Sequence, residues 1–382
     1  MSWQKSAADM PEKGLPASMA ATSGLTWTAT PQLGEFQIQG RPIGRSYAPY
    51  VVAEISANHA GGIQHALDLI YAAKTTGCDA AKIQVYQPDL ITLNSIAPPF
   101  IVRAGTWKGR ALYDLYQEAQ TPLEWLPALF EHAKNCGITL FSSAFDPADV
   151  DELERLGCPA YKIASFEIAH LQLIHYAART KKPVIISTGM ATQQEIAHAL
   201  SVSQEYTDVA LLHCVSGYPT PLQDTNLWRM AQLANTFYHP VIGFSDHTTG
   251  TIAATAATVA GAQILEKHMR LADVPSVDES FSITPDEMRQ YVIASLTAWS
   301  ATRVSRPVSE QASHQMRRSL FAVRPIARGE AFTLDNVRAI RPSDGMSPLM
   351  LGEIIGLTAK NDIAEGTPLT SALVFNGRTL YP

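Results

Sequence analysis

Eight short apolar runs recur along the chain, at residues 50–54, 80–84, 138–143, 161–165, 184–187, 209–213, 241–245 and 263–268, and each ends on a polar, potentially catalytic residue. Each is rich in Val, Ile, Leu or Ala and short enough for a buried strand. Most of the gaps hold an amphipathic stretch. This alternation predicts βα units around a parallel sheet, because parallel strands need a crossover that covers both faces. Eight units predict an α/β fold, a closed (β/α)8 TIM barrel whose active-site mouth lies at the C-terminal strand ends. Glu54, Lys82, Ser143, Ser165, Ser187, Ser216, Ser245, His247 and His268 would then meet in one cavity. The pattern favours an enzyme.

The flanking segments extend this picture. Residues 36–39 followed by Gly40-Arg41-Pro42 predict a small hairpin able to plug the barrel floor. Thr121-Pro122-Leu123-Glu124, Thr192-Gln193-Gln194-Glu195 and Thr284-Pro285-Asp286-Glu287 each place Thr at an N-cap with Glu three residues later, the capping-box arrangement. The last opens a long helix over residues 285–301. In a chain of 382 residues, a barrel of ~250 residues leaves room for a second small domain. The expected divisions are a flexible extension at 1–35, the barrel at 36–302, a polar linker at 303–316 and a small domain at 317–382. That domain carries a near-repeat at an offset of 37, Ile326-Ala327-Arg328-Gly329 against Ile363-Ala364-Glu365-Gly366, which predicts pseudo-two-fold symmetry with glycines at positive φ. Its core is marginal at this size, so it is expected to gain stability by docking.

Composition narrows the function class. A net charge of −6 leaves no basic footprint and argues against a nucleic-acid or anionic-membrane partner. No run approaches the ~20 apolar residues that span a bilayer, and the first thirty or so residues lack a signal-peptide pattern. Cys78, Cys136, Cys158 and Cys214 form no C-x-x-C pair, which suggests reduced, buried thiols in a cytoplasmic protein.

Lys82 has three open readings: a Schiff-base lysine, an anion-binding lysine, or an ion pair with a neighbour such as Glu54. One serine at a strand end is usually a cap or loop hydroxyl, but five in register around Lys82 and Lys162 suit a carboxylate and a phosphate. No Walker-type or G-x-G-x-x-G loop supports a nucleotide. His247 and His268, at the ends of the last two strands, fit an open divalent-metal site, a pair of hydrogen-bonded core histidines, or one general base. Glu54, Glu167, Asp278 and Tyr218 are the polar groups left to hold or activate a polar substrate.

Several of these segments together, Glu54-Ile55-Ser56-Ala57-Asn58-His59, Lys82-Ile83-Gln84, Tyr161-Lys162-Ile163-Ala164-Ser165, Ser187-Thr188-Gly189-Met190, Tyr218-Pro219-Thr220-Pro221, Ser245-Asp246-His247 and Glu266-Lys267-His268, resemble the sialic acid synthase family. The C-terminal repeat with Arg341-Pro342 is similar to that family's antifreeze-like (SAF, β-clip) domain. Phe166, where many sialic acid synthases have glycine, and the 107–116 segment resemble the pseudaminic acid branch of the family. The resemblance implies condensation of phosphoenolpyruvate with a diacetamido sugar aldehyde, with phosphate leaving by carbon–oxygen cleavage. It implies that Lys82, Ser143, Lys162, Ser165, Ser187, Ser216 and Ser245 hold phosphoenolpyruvate, and that His247 and His268 hold Mn²⁺ or Mg²⁺. Gln84, Glu167, Tyr218 and Arg341 would face the sugar, with Glu54 or Asp278 as catalytic base. Ser143 stands where Thr is common and Ser216 where Asn is common; no sugar contact carries over between Leu93 and Ala119. A homodimer exchanging its small domains is also implied. The competing readings are a neuraminate or legionaminate synthase of the same family, a Schiff-base aldolase acting through Lys82, and a carbohydrate-binding protein with an inert barrel.

Overall fold

The structure, a computed structural model, describes residues 34–237, 240–272, 274–303 and 308–375. The expected N-terminal extension thus lies, but for its last two residues, outside the described residues. The described residues fall into two compact units divided between Thr302 and Arg303.

In the first unit, β1 (Phe36–Ile38) and β2 (Arg41–Ile43) pair antiparallel across a turn with Gln39 at φ 45° and Gly40 at φ 80°. Two consecutive positive φ values are what a tight hairpin turn with right-handed strand twist requires. Phe36, Ile38 and Ile43 join the barrel core, and Thr139 Oγ1 at the start of a barrel strand donates to Gln39 Oε1 at 2.9 Å. The hairpin therefore closes the N-terminal end of the barrel, as expected.

The barrel strands are β3 (Tyr50–Glu54), β4 (Ala80–Val85), β5 (Thr139–Ala144), β6 (Tyr161–Ile163), β7 (Val184–Ser187), β8 (Val209–Cys214), β9 (Val241–Asp246) and β10 (Ile264–His268). They run parallel in chain order and close through β10 beside β3, with His268 opposite Glu54 and Glu54 opposite Lys82. Buried on both faces, they read as continuous apolar runs. Gly243 in β9 is needed for closure: a Cβ there would lie 2.5 Å from both Ile264 O and Leu212 Cδ2.

Thr192 and Thr284 form the expected capping boxes with Glu195 and Glu287. Thr121 does not. Its N–H donates to Gln84 O at 3.2 Å, its hydroxyl is unpartnered, and the chain enters the helix Leu126–Cys136 through a 3₁₀ turn at Leu123–Trp125. A box absent from the sequence expectations is built instead by Asp146 and Asp149. Cys78, Cys158 and Cys214 are free and buried, but Cys136 is only half-buried. Among the described residues no helix is long and apolar enough to cross a membrane.

The second unit is a small β-fold: β11 (Ser319–Ala322) pairs β12 (Val337–Ile340), and β13 (Thr358–Ala359) pairs β14 (Val374–Phe375), both antiparallel. The internal repeat is visible in its hydrogen bonds, since Ile326 and Ile363 exchange backbone bonds of 2.8 Å in both directions. Gly329 and Gly366 occupy equivalent turns at φ 83° and 82°, and the equivalent Phe332 and Leu369 are both buried in its core. The segment expected to be a plain linker holds a helical turn at Val308–Glu310 and a short helix at Gln311–His314; residues 304–307 lie outside the described residues.

Candidate active site

Side chains alternate across a strand, so only every second residue of a barrel strand faces the interior. That rule places Glu54, Lys82, Gln84, Ser143, Lys162, Ser187, Ser245, Glu266 and His268 together. Lys82 Nζ lies 2.5 Å from Glu54 Oε2, 3.0 Å from Ser143 Oγ and 3.7 Å from Glu266 Oε1. Lys162 Nζ donates to Ser187 Oγ at 2.6 Å, and Ser245 Oγ donates to Glu266 Oε1 at 3.2 Å. Gln84 Nε2 donates to Glu54 Oε1 at 2.9 Å. All these groups but Gln84, which is half-buried, are buried.

Burial pushes the Glu54 carboxyl up to about 7 against the pull of Lys82. Burial would draw Lys82 down, but Glu266 and Glu54 outweigh it and hold the ammonium above its ordinary value. Lys162 goes the other way, lowered by burial despite Glu266. For Glu266, burial is outweighed by Lys162 and Lys82, which keep it ionised. Two lysines matched by two carboxylates is a neutral, desolvated arrangement whose ammoniums can be handed to an incoming anion.

Beside it a second hydroxyl group forms. Gly189 N–H donates to Ser165 Oγ at 3.1 Å, and Ser165 Oγ lies 2.9 Å from Cys214 Sγ. A Cβ on Gly189 would stand 2.4 Å from Ser216 Oγ and 2.8 Å from Ser165 Oγ, so glycine leaves this corner open. Ser165 and Ser216 thus share one corner.

His247 and His268 have ring centroids 5.5 Å apart. His247 Nδ1 is 2.8 Å from Val215 O, which fixes its tautomer and leaves Nε2 as a lone-pair donor. His268 Nδ1 is buried without a hydrogen-bond partner, 3.8 Å from Asp278 Oδ2. Burial lowers both imidazoles, His268 strongly, so both are neutral. Two neutral imidazoles with a free nitrogen fit a divalent ion that takes its other ligands from substrate and water. Among the described residues no three His, Cys, Asp or Glu converge as a full metal cage. His213, also at a strand end, is structural: its Nε2 lies 2.6 Å from Thr225 O and its ring stacks on Phe244.

Asp278 sits on the loop after β10. It accepts from Ala57 N–H at 3.3 Å, and burial raises its carboxyl against hydrogen bonds from Ser56 and Ala57. The buried Asn58 pins this loop, donating to Ser282 Oγ at 2.9 Å and accepting from Ser276 Oγ at 2.6 Å. A cavity of about 570 Å³ opens above the strand ends, lined by Gln84, Glu167, Ser216, Tyr218, His268 and Asp278 among others. Burial pushes Glu167 up to about 7, and its Oε2 has no hydrogen-bond partner. The Tyr218 ring packs at a tilt against His247, with centroids 4.4 Å apart. Arg341 belongs to the second unit, where it lines a separate cavity of about 470 Å³ with Arg317 and Arg318.

Two features escaped sequence reasoning. Glu266 was visible only as the acid next to Lys267 and His268; counting by twos from His268 places it inside the barrel. The same count turns Lys267 outward, over the Tyr291 ring and 3.4 Å from Asp246 Oδ2. The second is the segment between Leu93 and Ala119, which supplies much of the cavity wall.

The NeuB family model matches residues 69–305, and a SAF domain model matches residues 317–374. A pseudaminic acid synthase of Helicobacter pylori is 40% identical over 330 residues, covering 85% of this chain and 97% of that protein. A pseudaminic acid synthase of Campylobacter jejuni is 41% identical, covering 84% and 95%. The crystal structure of an N-acetylneuraminic acid synthetase from Leptospira borgpetersenii, in complex with citrate, superposes with a TM-score of 0.66 at 27% identity, covering 74% of this chain and 95% of that one. With its strand-end lysines, hydroxyls and histidines gathered in one barrel mouth, and with these matches along its length, the chain belongs to the NeuB family of sialic acid synthases and carries a C-terminal SAF domain.

Proposed function

We propose that the chain is a pseudaminic acid synthase: it condenses phosphoenolpyruvate with 2,4-diacetamido-2,4,6-trideoxy-L-altrose and water, giving pseudaminic acid and phosphate. The observation that carries this reading is the buried Lys82–Lys162 pair with its hydroxyls, set beside two neutral imidazoles. The names of the Helicobacter and Campylobacter relatives support the choice of sugar. A neuraminate or legionaminate synthase is the alternative within the family.

In this reading Lys82, Lys162, Ser143, Ser165, Ser187, Ser216 and Ser245 hold the carboxylate and phosphate of phosphoenolpyruvate, a positioning and electrostatic contribution. Gln84, Glu167 and Tyr218 orient the sugar. His247 and His268 hold Mn²⁺ or Mg²⁺, which when bound supplies Lewis-acid polarisation of the aldehyde. C3 of phosphoenolpyruvate forms a bond to the aldehyde carbon, whose oxygen gains a proton. Water adds at C2 and gives up a proton to a carboxylate. Glu54, poised near neutrality at about 7, suits that proton transfer, and Asp278 is the second candidate. The tetrahedral C2 then collapses to a ketone as its bond to the phosphate oxygen breaks. Arg341 of the partner subunit completes the sugar site in a two-fold dimer that exchanges SAF domains.

Lys82, held as an ammonium by two carboxylates, is a poor nucleophile, which weighs against the Schiff-base reading. Phosphate release from phosphoenolpyruvate with a panel of aldehyde sugars tests the proposal. The diacetamido-trideoxy-altrose should be preferred to N-acetylmannosamine, and borohydride should trap no adduct on Lys82. Equal use of the sugars, or a trapped adduct, would overturn it.

A further inference from the structure

The polar lining of the barrel-mouth cavity comes largely from strand ends and the loops just after them: Gln84, Glu167, Ser216, His268 and Asp278. Its aliphatic lining comes largely from the segment between β4 and β5, through Ile91, Val102, Leu112 and Leu115. That segment is held in place. Ile101 bridges Ala111, and Val102 N–H donates to Arg110 O at 2.9 Å, so residues 101–111 form a small hairpin-like loop. The loop is tied across the mouth at its tip. Thr106 Oγ1 donates to Tyr218 O at 2.5 Å, and the Trp107 indole N–H donates to Val277 O at 3.1 Å. The Trp107 ring also packs on Tyr218 and Phe281 at 5.8 and 6.0 Å. Tyr86, Tyr116 and Phe145 line the cavity as well, Tyr116 packing edge-on to Tyr86 at 5.9 Å and Tyr86 on Phe145 at 5.0 Å.

A fixed apolar wall facing a polar floor matches a substrate that is polar at one end and methyl-bearing at the other. The reacting aldehyde carbon must lie toward the strand ends, where the lysines and imidazoles are, so the rest of the sugar extends toward the wall. We propose that Val102 and Leu112, with Ile91 and Leu115, are the specificity-determining residues that receive the C6 methyl group. A hydroxyl at C6 set against these four side chains would find no hydrogen-bond partner among them, which an apolar contact penalises. This deepens the proposed function and rests on it. Phe166 also lines the cavity but is 65% exposed, so it offers a poorer apolar wall.

The test is the ratio of kcat/KM for the 6-deoxy sugar to that for its 6-hydroxy counterpart, measured by phosphate release with the KM for phosphoenolpyruvate alongside. Val102→Thr adds a hydroxyl at nearly constant volume, and Leu112→Asn offers a hydrogen-bonding partner. Each is expected to lower the ratio about tenfold while the KM for phosphoenolpyruvate stays within about twofold. Phe166→Gly should lower it less. An unchanged ratio, whether at full rates or with all sugars slowed equally as a purely structural wall would give, overturns the assignment. A wild-type enzyme that releases no phosphate with any aldehyde sugar would instead overturn the proposed function, and the wall assignment with it.

Discussion

Glu167→Gln offers a measurement that separates the electrostatic cost of the sugar site from its chemistry. The Glu167 carboxyl is raised from 4.5 to about 7, chiefly by burial, with Lys162 opposing. A carboxyl raised in the folded state binds its proton more tightly there than in the unfolded chain. Stability therefore falls as pH climbs from about 4.5 to about 7 and is level above that. Moving the midpoint that far corresponds to about 3 kcal/mol at roughly 1.4 kcal/mol per pH unit, and the residue's partial exposure reduces this to about 2 kcal/mol. Glutamine keeps the shape and carries no charge. The variant should be more stable than the parent by about 2 kcal/mol at pH 8 and by well under 1 kcal/mol at pH 5. Denaturant unfolding followed by tryptophan fluorescence suits the comparison, because Trp107, Trp125, Trp228 and Trp299 all lie in the barrel unit. Turnover should drop despite the added stability if Glu167 contacts the sugar as proposed. Equal stabilities at pH 8, or the same difference at both pH values, would show that the Glu167 carboxyl is not raised by burial.

Two further outcomes follow from the same site. His247→Ala should remove most of the divalent-ion affinity, read by equilibrium dialysis with Mn²⁺, and abolish turnover while the circular dichroism spectrum is unchanged; full activity in the presence of chelator would exclude the metal role. Co-refolding His247→Ala with Arg341→Ala should restore part of the activity if Arg341 of the partner subunit completes each mouth, whereas activity at background would place Arg341 within its own chain.

The barrel was legible in the sequence because a strand buried on both faces has to be a short apolar run, and all eight runs became strands with ends shifted by two residues at most. Most of the anion site followed, since the residues in question end those runs. The N-cap reading held at Thr192 and Thr284, where the hydroxyl is free to cap, and failed at Thr121, where the backbone is engaged by Gln84. Glu266 was hidden by its neighbours: in Glu266-Lys267-His268 three polar residues in a row give no alternation, and only the inward placement of His268 fixes which of them face the cavity. The wall around Val102 and Leu112 was illegible for a different reason. It is split between a loop at Val102 and the start of the helix Leu112–Ala119, and its shape depends on tertiary ties from Thr106 and Trp107 to residues more than a hundred positions away.

In the proposed reaction the site joins phosphoenolpyruvate to a sugar aldehyde and releases phosphate by breaking the carbon–oxygen bond. Phosphoenolpyruvate carrying ¹⁸O in its bridging oxygen tests it directly, with the diacetamido-trideoxy-altrose as acceptor and mass spectrometry of both products. The expected result is sugar-dependent release of phosphate that retains the ¹⁸O, with unlabelled solvent oxygen in the C2 carbonyl of the nine-carbon acid. Label in the keto acid and none in the phosphate, or phosphate release that does not depend on the sugar, would contradict it.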